Sequence, residues 1–293
     1  MQIKELESVS IIGLGLLGGS LGLAVARSFP RVRRMGYSHR ELTRQKALDT
    51  GVVDRICPTV PEAVAGAQLV ILAGPIGTFA DLMRKMHGQL PQGCVITDVG
   101  STKVVPVRLG EKIFDKNVSF VGSHPMAGSE QRGVEFARAD LFDDAHCIIT
   151  PTSRSQKNTI TFLTQFWQTL GMRICTMSPA EHDRVLARIS HLPHILAMAL
   201  VNCSDAQQML LCGKGFLDTT RIASGAPGVW RDILAANAAH TAAAIAKLIK
   251  ELSRVQKNLE QGKDHAILKM LTNAQVRRDE LVKQKLIRKE LPT

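Results

Sequence analysis

Short apolar runs alternate with helical patterns along the first 177 residues of the chain. The apolar runs are rich in Val and Ile, and several end at glycine, proline or polar residues, as strands do. The predicted strands are 9–13, 33–38, 69–73, 94–98, 118–121, 147–150 and 172–176, and the predicted helices are 19–28, 40–50, 79–90 and 160–170. Because strands that alternate with helices form parallel sheets, the pattern predicts a doubly wound α/β domain.

The pattern changes near residue 177. Ser178, Pro179 and Glu181 form a helix-start signal, in which Ser caps the helix, Pro opens it and Glu stands at the third position. From there the periodicity is helical, with long patterns over 234–252 and 255–287 and no convincing strand. We therefore predict two domains, an α/β domain over residues 1–177 and an all-α domain over residues 178–293.

Composition and charge narrow the classes of protein that fit. The net charge is +11, but the basic C-terminal region alternates acidic and basic residues as a solvated helix face does, and aromatic residues make up only 4%. We therefore expect no nucleic-acid partner. No apolar run reaches the roughly 18 residues of a membrane span, and the N-terminus lacks a signal-peptide core. The six cysteines form no CxxC pair, which predicts reduced thiols in a cytoplasmic protein without a metal site.

A glycine-rich loop joins the first predicted strand to the first predicted helix. Gly13, Gly15 and Gly18 have the GxGxxG spacing in the strand–helix context that dinucleotide binding requires. The first glycine permits a tight turn, the second lets phosphates approach the backbone, and the third lets helix and strand pack closely. A tight turn without a ligand is the alternative. The residues predicted to contact a dinucleotide here are Gly13, Leu14, Gly15, Leu16, Leu17, Gly18, Gly74 and Pro75.

The choice between NAD and NADP depends on the end of the second predicted strand. An acidic residue about 20 positions after the glycines binds the ribose 2′-hydroxyl of NAD. This chain has Ser38, His39 and Arg40 at that point, with Arg44 one helical turn later. Cations without a carboxylate favour the 2′-phosphate of NADP over NAD. The two arginines are equally compatible with a solvated helix surface.

A histidine follows the apolar run at 118–121 and is a candidate catalytic residue. His124 precedes Pro125 in a stretch dense in glycine, so we expect its imidazole on a tight turn at a strand end. Histidine is the usual proton acceptor near neutral pH when hydride leaves a carbon that bears a hydroxyl group. Ser101, after another strand end, could orient that hydroxyl or the imidazole. A turn histidine bonded only to backbone is the alternative.

Further candidates lie in the helical half. His191 and His194 are three residues apart and share a helix face, and Pro193 bends the helix beside them. Either histidine could bind a ligand or be a satisfied core residue. Arg221 stands among small and apolar residues, where a guanidinium needs an anion, either the nearby Asp218 or a substrate carboxylate. Trp230 either walls a pocket or packs a helix.

Five segments together resemble the prephenate and arogenate dehydrogenase family of tyrosine biosynthesis. They are GLGLLGGS, VITDVGSTK, GSHPMAGSE, ISHLPH and FLDTTRIASGAPGVW, in family order between residues 11 and 230. The resemblance implies a Rossmann-type N-terminal domain and a helical C-terminal half that forms a homodimer. It also implies oxidative decarboxylation of a 4-hydroxycyclohexadiene with NAD(P). Hydride leaves the carbon that bears the hydroxyl, carbon dioxide is lost, and the ring becomes aromatic.

Roles for individual residues follow from the same resemblance. His124 looks like the base that deprotonates the 4-hydroxyl group, Ser101 like its orienting partner, and Arg221 like the clamp on a substrate carboxylate. The remaining pocket residues that the resemblance implies are His191, His194, Trp230 and Glu130. Prephenate is favoured over arogenate, although Glu130 could pair either with the ammonium group of arogenate or with Arg221, and use of both substrates stays open. A fused chorismate mutase segment and an ACT-type regulatory domain are not expected.

Two other classes of protein stay open as alternatives. Dehydrogenases of the β-hydroxyacid and 6-phosphogluconate type have a helical dimer domain, but they carry a catalytic lysine on the first long helix of that domain. Residues 181–202 contain no Lys. A non-catalytic sensor of NADP would use the same fold, but it would have no need for Ser101, His124 and Arg221 to converge. Activity distinguishes the sensor from an enzyme.

Overall fold

The structure, a computed structural model, describes residues 2–115, 117–128 and 131–287. The chain divides into two compact units, Met1–Ala238 and Ala239–Thr293. The predicted domain boundary near residue 177 lies inside the first unit and stays a prediction.

A parallel sheet of six strands organises the first unit. Its order is β3-β2-β1-β4-β5-β6, and all neighbouring strands are parallel. The strands are β1 (Ser8–Ile12), β2 (Arg33–Tyr37), β3 (Arg55–Ile56), β4 (Leu69–Leu72), β5 (Val95–Asp98) and β6 (Ser119–Phe120). This is the strand order of the dinucleotide-binding α/β fold, so the predicted fold class is confirmed. The point where strand order reverses lies between β1 and β4.

Helices cover the sheet and continue to the end of the first unit. They are α1 (Leu16–Ser28), α2 (Glu41–Asp49), α3 (Val60–Val64), α4 (Phe79–Met86), α5 (Val104–Ile113), α6 (Lys157–Thr169), α7 (Pro179–Leu186), α8 (Leu192–Cys203), α9 (Ala206–Leu210), α10 (Lys214–Thr220) and α11 (Pro227–Ala236). Neighbouring residues of a strand enter different apolar clusters. Ile11 and Ile71 pack in the cluster that contains Trp167, whereas Ile12 and Val70 pack in the other. The sheet is thus buried on both faces, which explains its unbroken apolar strands.

A second sheet of three strands differs from the expected all-parallel arrangement. It contains β7 (Gly122–Pro125), β8 (His146–Thr150) and β9 (Arg173–Thr176) in that order. β7 is antiparallel to β8, and β8 is parallel to β9. Only Val121 separates β6 from β7, so the chain passes from one sheet directly into the other.

The expectation that His124 lies on a tight turn was wrong, because the residue lies within β7. Pro125 can end this strand because β7 is at the edge of its sheet and pairs only with β8. The backbone N–H of Met126 donates to the carbonyl of His146 at 2.7 Å, so ladder bonding resumes on the far side of the proline. A proline on an edge strand removes no ladder hydrogen bond when its nitrogen faces away from the partner.

A π-helical turn, Ala187–His191, joins α7 to α8. Pro193 is at the start of α8, and its missing N–H leaves the carbonyl of the preceding turn without the usual α-helical donor. The run Pro179–Cys203 is also long and apolar enough to cross a membrane by length and composition, contrary to the expectation from the sequence. Core helices of soluble proteins meet the same criterion.

The second unit consists of two long helices in the described residues. They are α12 (Ala238–Glu260), which begins at the unit boundary, and α13 (Asp264–Ile287). Gly262, with φ of 61°, makes the turn between them, and the N–H of Lys263 donates to the carbonyl of Asn258 at 2.9 Å. The helices break there rather than at 253–254, where the apolar pattern was interrupted. Large apolar side chains are exposed along both helices, including those of Ile249, Leu252, Leu259, Leu268, Leu271 and Val276.

Candidate active site

The glycine loop after β1 has the shape that a dinucleotide phosphate needs. Gly13 has φ of 110°, and a Cβ atom there would lie 2.6 Å from the backbone nitrogen of Gly74. A Cβ on Gly18 would lie 1.8 Å from the carbonyl oxygen of Gly13. These two glycines are required by close packing, whereas a Cβ on Gly15 would meet no atom within 4 Å. Gly15 therefore faces open space, as expected where a ligand approaches the backbone.

The amino end of α1 supplies the donors for that ligand. Gly15 is the N-cap residue, and no side chain caps the helix. The first backbone N–H groups of a helix have no partner within the helix, and together with the helix dipole they favour an anion. The residues present therefore fit the pyrophosphate of NAD(P). The loop after β4 borders this cradle through Gly74, and Pro75 follows it.

No carboxylate occurs at residues 38–40, which are described and follow β2 where the ribose of a dinucleotide is expected. Ser38 is buried there, while His39 and Arg40 are exposed. The Arg44 guanidinium donates to the carbonyl oxygen of Ser38 at 3.0 Å, which places a cation beside this strand end. Arg40 makes no ion pair with the residues that the structure describes. The contact of these residues with a cofactor stays a prediction.

A buried ion pair lies at the carboxyl end of β5. Asp98 and Lys103 are both fully buried and form a salt bridge. Lys103 Nζ also donates to the carbonyl of Ser123 at 2.7 Å, and the N–H of Gly100 donates to Asp98 at 2.8 Å. Burial works against both charges, raising the pKa of Asp98 and lowering the pKa of Lys103. The pair joins β5 to β7 immediately before His124.

His124 is held by a second histidine that the sequence reasoning did not select. Its Nδ1 atom lies 2.8 Å from Nε2 of His182, and the rings meet edge to face with centroids 5.1 Å apart. Only 7% of His124 is exposed, and its Nε2 atom makes no hydrogen bond with the residues that the structure describes. Burial lowers the pKa of His124 well below its usual value, and His182 and Lys103 lower it further. The imidazole is therefore neutral at physiological pH.

His182 is in turn joined to Asp183, and both are in the first turns of α7. His182 Nδ1 lies 2.8 Å from Asp183 Oδ1. The Asp183 carboxylate also accepts the backbone N–H groups of Lys103 at 2.7 Å and Val104 at 2.9 Å, so it caps α5. Burial lowers the pKa of His182, and the hydrogen bond to Asp183 opposes that change. A histidine next to an aspartate in the first turn of a helix was the available sequence signal.

The predicted histidine pair of the helical half is buried and close to Trp230. His194 stacks on the Trp230 ring with centroids 3.5 Å apart, and His191 meets the same ring edge to face at 6.2 Å. His191 Nδ1 lies 3.2 Å from Nδ2 of Asn237, and burial lowers the pKa of His191 to about 4. His191 Nε2 and His194 Nδ1 are buried without hydrogen-bond partners in the described residues. Such atoms are available to a bound ligand.

The remaining predicted site residues, Ser101, Arg221 and Glu130, differ in how far the structure supports their predicted positions. Ser101 is half-buried in the loop after β5, and its backbone acts on His191, where it opposes the lowering of the pKa of that histidine by burial. Arg221 begins the 3₁₀ turn Arg221–Ser224 and is exposed, which differs from the interior location that its apolar neighbours suggested. Glu130 lies outside the described residues. No metal-binding group of His, Cys, Asp or Glu residues occurs in the described part of the chain.

A dinucleotide cradle and a buried neutral imidazole define the class of protein. The first has the features of a nicotinamide-dinucleotide site, and a neutral imidazole is the kind of group that can accept a proton when a hydroxyl-bearing carbon loses hydride. The chain is therefore an NAD(P)-dependent oxidoreductase. Residues 21–176 match the family model described as prephenate dehydrogenase, nucleotide-binding domain, and residues 178–273 match the prephenate dehydrogenase dimerization domain. The chain belongs to the prephenate dehydrogenase family.

Individual relatives agree with this assignment. A prephenate dehydrogenase of Bacillus subtilis is 34% identical over 94% of this chain and 76% of the relative. A cyclohexadienyl dehydrogenase of Zymomonas mobilis is 31% identical over 85% of this chain and 87% of the relative. The crystal structure of prephenate dehydrogenase from A. aeolicus in complex with hydroxyphenyl propionate and NAD+ has a TM-score of 0.88 and 30% identity. It covers 94% of this chain and 99% of its own.

Proposed function

We propose that this protein oxidises and decarboxylates prephenate to 4-hydroxyphenylpyruvate, with NAD(P) as the hydride acceptor. The observation that carries the proposal is the buried, neutral imidazole of His124. Its Nδ1 atom is occupied by His182, and its Nε2 atom makes no hydrogen bond in the described residues. An imidazole in this state accepts a proton rather than donating one.

The residues of this chain orient the substrate and move one proton. His124 accepts the proton of the 4-hydroxyl group at Nε2, and the oxygen becomes a carbonyl as hydride leaves the same carbon. The bound nicotinamide ring supplies the hydride acceptor. Carbon dioxide then leaves the ring, its bonding electrons complete the aromatic ring, and the carbonyl oxygen becomes a phenol by taking up a proton. Ser101 orients the hydroxyl group, and Arg221 binds a substrate carboxylate.

His191 Nε2 and His194 Nδ1 have no hydrogen-bond partners in the described residues, so both atoms can bind polar groups of a substrate. His194 cannot rotate freely because Trp230 covers one face of its ring. These side chains bind the side-chain end of prephenate, where a keto group and a carboxylate need hydrogen-bond partners. Glu130, which lies outside the described residues, is a further candidate for substrate binding, and its carboxylate would suit the ammonium group of arogenate.

The proposed activity is tested by reduced-nicotinamide formation with prephenate and arogenate, each with NAD and with NADP. We expect turnover with prephenate. His124→Asn should lower kcat by about 10²- to 10⁴-fold while dinucleotide affinity stays within a factor of three or so. Turnover with arogenate alone would show that arogenate, and not prephenate, is the substrate. A folded protein that binds dinucleotide but turns over neither compound would refute the proposal.

We propose NADP as the preferred cofactor. Ser38 leaves no negative charge at its position after β2. The Arg44 guanidinium donates to the carbonyl of Ser38 and Arg40 is exposed two residues after Ser38, so both cations are available to a 2′-phosphate. Arg40→Ala should raise KM for NADP by about 10-fold, the scale of one charge-assisted contact, and leave KM for NAD unchanged. Ser38→Asp should reverse the preference. Equal effects of Arg40→Ala on both cofactors would contradict this assignment.

We also propose that the protein is a cytoplasmic homodimer. The exposed apolar side chains of α12 and α13 need a partner surface, and the family model that matches residues 178–273 describes a dimerization domain. All six cysteines are free thiols, as in a reducing compartment. Light scattering after size-exclusion chromatography should give twice the 32.0 kDa chain mass. A monomer at micromolar concentration would contradict the homodimer.

A further inference from the structure

We propose that His182, supported by Asp183, sets the tautomer of His124 and so keeps its Nε2 atom ready to accept the substrate proton. His182 is a positioning residue in this role, because it touches His124 and has no contact with the reacting atoms. The proposal rests on the proposed function, since it concerns the same proton transfer. Its spectroscopic test needs no substrate.

The tautomers follow from the two short contacts, beginning at Asp183. Both carboxylate oxygens of Asp183 act as acceptors, since each already accepts a backbone N–H group. The contact at 2.8 Å therefore requires a proton on His182 Nδ1. A neutral imidazole with its proton on Nδ1 has a lone pair on Nε2. His182 is thus an acceptor at the atom that faces His124.

The contact between His182 and His124 determines which nitrogen of His124 carries the proton. Two lone pairs would repel each other at the 2.8 Å that separates His124 Nδ1 from His182 Nε2, so His124 must donate there. Its single proton is consequently on Nδ1, and its lone pair is on Nε2. The second ring nitrogen of a histidine is commonly fixed by such a bond, as in metal sites and catalytic triads.

The surroundings of the two rings prevent other arrangements. His182 and Asp183 are 0% and 1% exposed, so water has little access to the contact between the rings. The charged and titratable groups that act on the rings are Lys103, Asp98, Asp183 and His191. Burial and the positive charge of Lys103 keep His124 neutral, which is the state in which the choice of tautomer matters. Asp183 lies on α7, but its carboxylate is held by backbone N–H groups at the start of α5. A second helix therefore fixes the position of the carboxylate that orients His182.

Two substitutions separate this role from simple packing. His182→Leu removes the acceptor, so the His124 proton can move to Nε2 and block the lone pair. His182→Gln keeps an amide oxygen at about the position of the lost Nε2 atom, while Asp183 retains its two backbone donors. We expect His182→Leu to lower kcat by about 10²-fold or more, the scale of general-base catalysis, and His182→Gln to restore most of it. KM for prephenate and for NADP should change by less than about threefold in both variants.

Trp167→Phe is the matched control for a buried change near the same strand. Trp167 Nε1 donates to Ser123 Oγ at 3.1 Å, next to His124 in the chain, and has no bond to the imidazole. The kcat of Trp167→Phe should stay within about threefold of the parent value, even if this variant loses as much Tm as His182→Leu. Comparable kcat losses in Trp167→Phe and His182→Leu would overturn the proposal.

The direct readout is the state of the ring nitrogens in the free enzyme. Protein labelled with ¹⁵N at histidine, with His124→Asn for assignment, should show at neutral pH a protonated Nδ1 and an unprotonated Nε2 for His124. A proton on Nε2 in the parent protein would overturn the proposal, whether or not the variants fold. So would a His182→Gln variant as slow as His182→Leu. Failure of the parent to turn over prephenate would instead refute the proposed function and leave the spectrum to decide the tautomer.

Discussion

The buried ion pair of Asp98 and Lys103 gives a stability prediction whose size follows from its contacts. In Lys103→Met the aliphatic stem is largely kept and the ammonium group is lost. The Asp98 carboxylate then keeps only its bonds from backbone N–H groups, at 2.8 Å from Gly100 and 3.3 Å from Ser123. Removing one partner of a buried pair costs about 3–5 kcal/mol, because the remaining charge is uncompensated.

Removing both charges should cost less than removing one. In the double variant Asp98→Asn with Lys103→Met, no buried charge remains. The carbonyl of Ser123 still loses its bond from Lys103 Nζ, and an orphaned buried acceptor costs about 1–3 kcal/mol. The amide oxygen that Asp98→Asn introduces can keep the 2.8 Å bond from Gly100, while its NH2 group replaces the acceptor of the long 3.3 Å bond from the N–H of Ser123. We therefore expect the double variant to recover about 2 kcal/mol of the loss in the single variant.

Thermal and urea unfolding at fixed protein concentration measure both values. The fixed concentration matters because oligomerisation raises the apparent stability. For units of this size 1 kcal/mol corresponds to roughly 2–4 °C, so Tm should fall by roughly 10 °C in Lys103→Met and by about half of that in the double variant. A double variant that is as unstable as Lys103→Met, or less stable, would refute the reasoning from an uncompensated carboxylate.

Two further predictions concern the glycine loop and His191. Gly15→Ala should leave Tm unchanged and weaken dinucleotide binding by about 10-fold or more, which calorimetric titration measures. Gly18→Ala should lower Tm in thermal unfolding, because its Cβ would lie 1.8 Å from a backbone oxygen. Equal losses of Tm in the two variants would contradict the different roles of these glycines. Burial lowers the pKa of His191 from 6.5 to about 4, so the unfolded chain binds a proton that the folded chain does not, and stability that is complete above pH 6.5 falls as the pH drops toward 4. Urea unfolding between pH 6.5 and 4 measures this loss of stability in the parent and in His191→Gln. The unfolding free energy should fall less in the variant, by a difference of up to about 3 kcal/mol. Parallel curves of stability against pH for the two proteins would contradict the lowered pKa.

The parallel sheet could be predicted because its signals are local. The strand that holds Ile11 and the strand that holds Ile71 are buried on both faces, and such strands are continuous apolar runs. The glycine loop is also local, since its three glycines and the helix that they open are contiguous. Element type and order followed from these runs, while the ends of elements differed by a few residues.

The second sheet depended on contacts that no local pattern records. β7 contains glycine and proline, which favour turns in most sequences, and it is a strand only because the edge of β8 accepts it. His124 was therefore found as a candidate but placed on the wrong element. Apolar neighbours in the sequence likewise suggested an interior position for Arg221, although exposure depends on the packing of distant segments.

His182 illustrates why part of the candidate site was missed. It follows Glu181 in the first turn of a well-signalled helix, and the sequence reasoning used that turn only as a helix start. Its importance comes from a contact with His124, a residue 58 positions earlier. Pairs of this kind are set by tertiary packing, so a single sequence shows the residues but does not show that they meet.

The π-helical turn Ala187–His191 makes the number of residues between α7 and α8 a functional quantity. If this run closed into a regular α-helix with all of its residues kept, every later residue of the helix would rotate by about 100° and shift by about 1.5 Å. His194 would then leave the face of Trp230, while His182 would stay against His124. The two halves of the site would be out of phase although every side chain was still present. Evolution along this segment is thus expected to exchange residue types freely at exposed positions such as Ile189 and to avoid insertions and deletions.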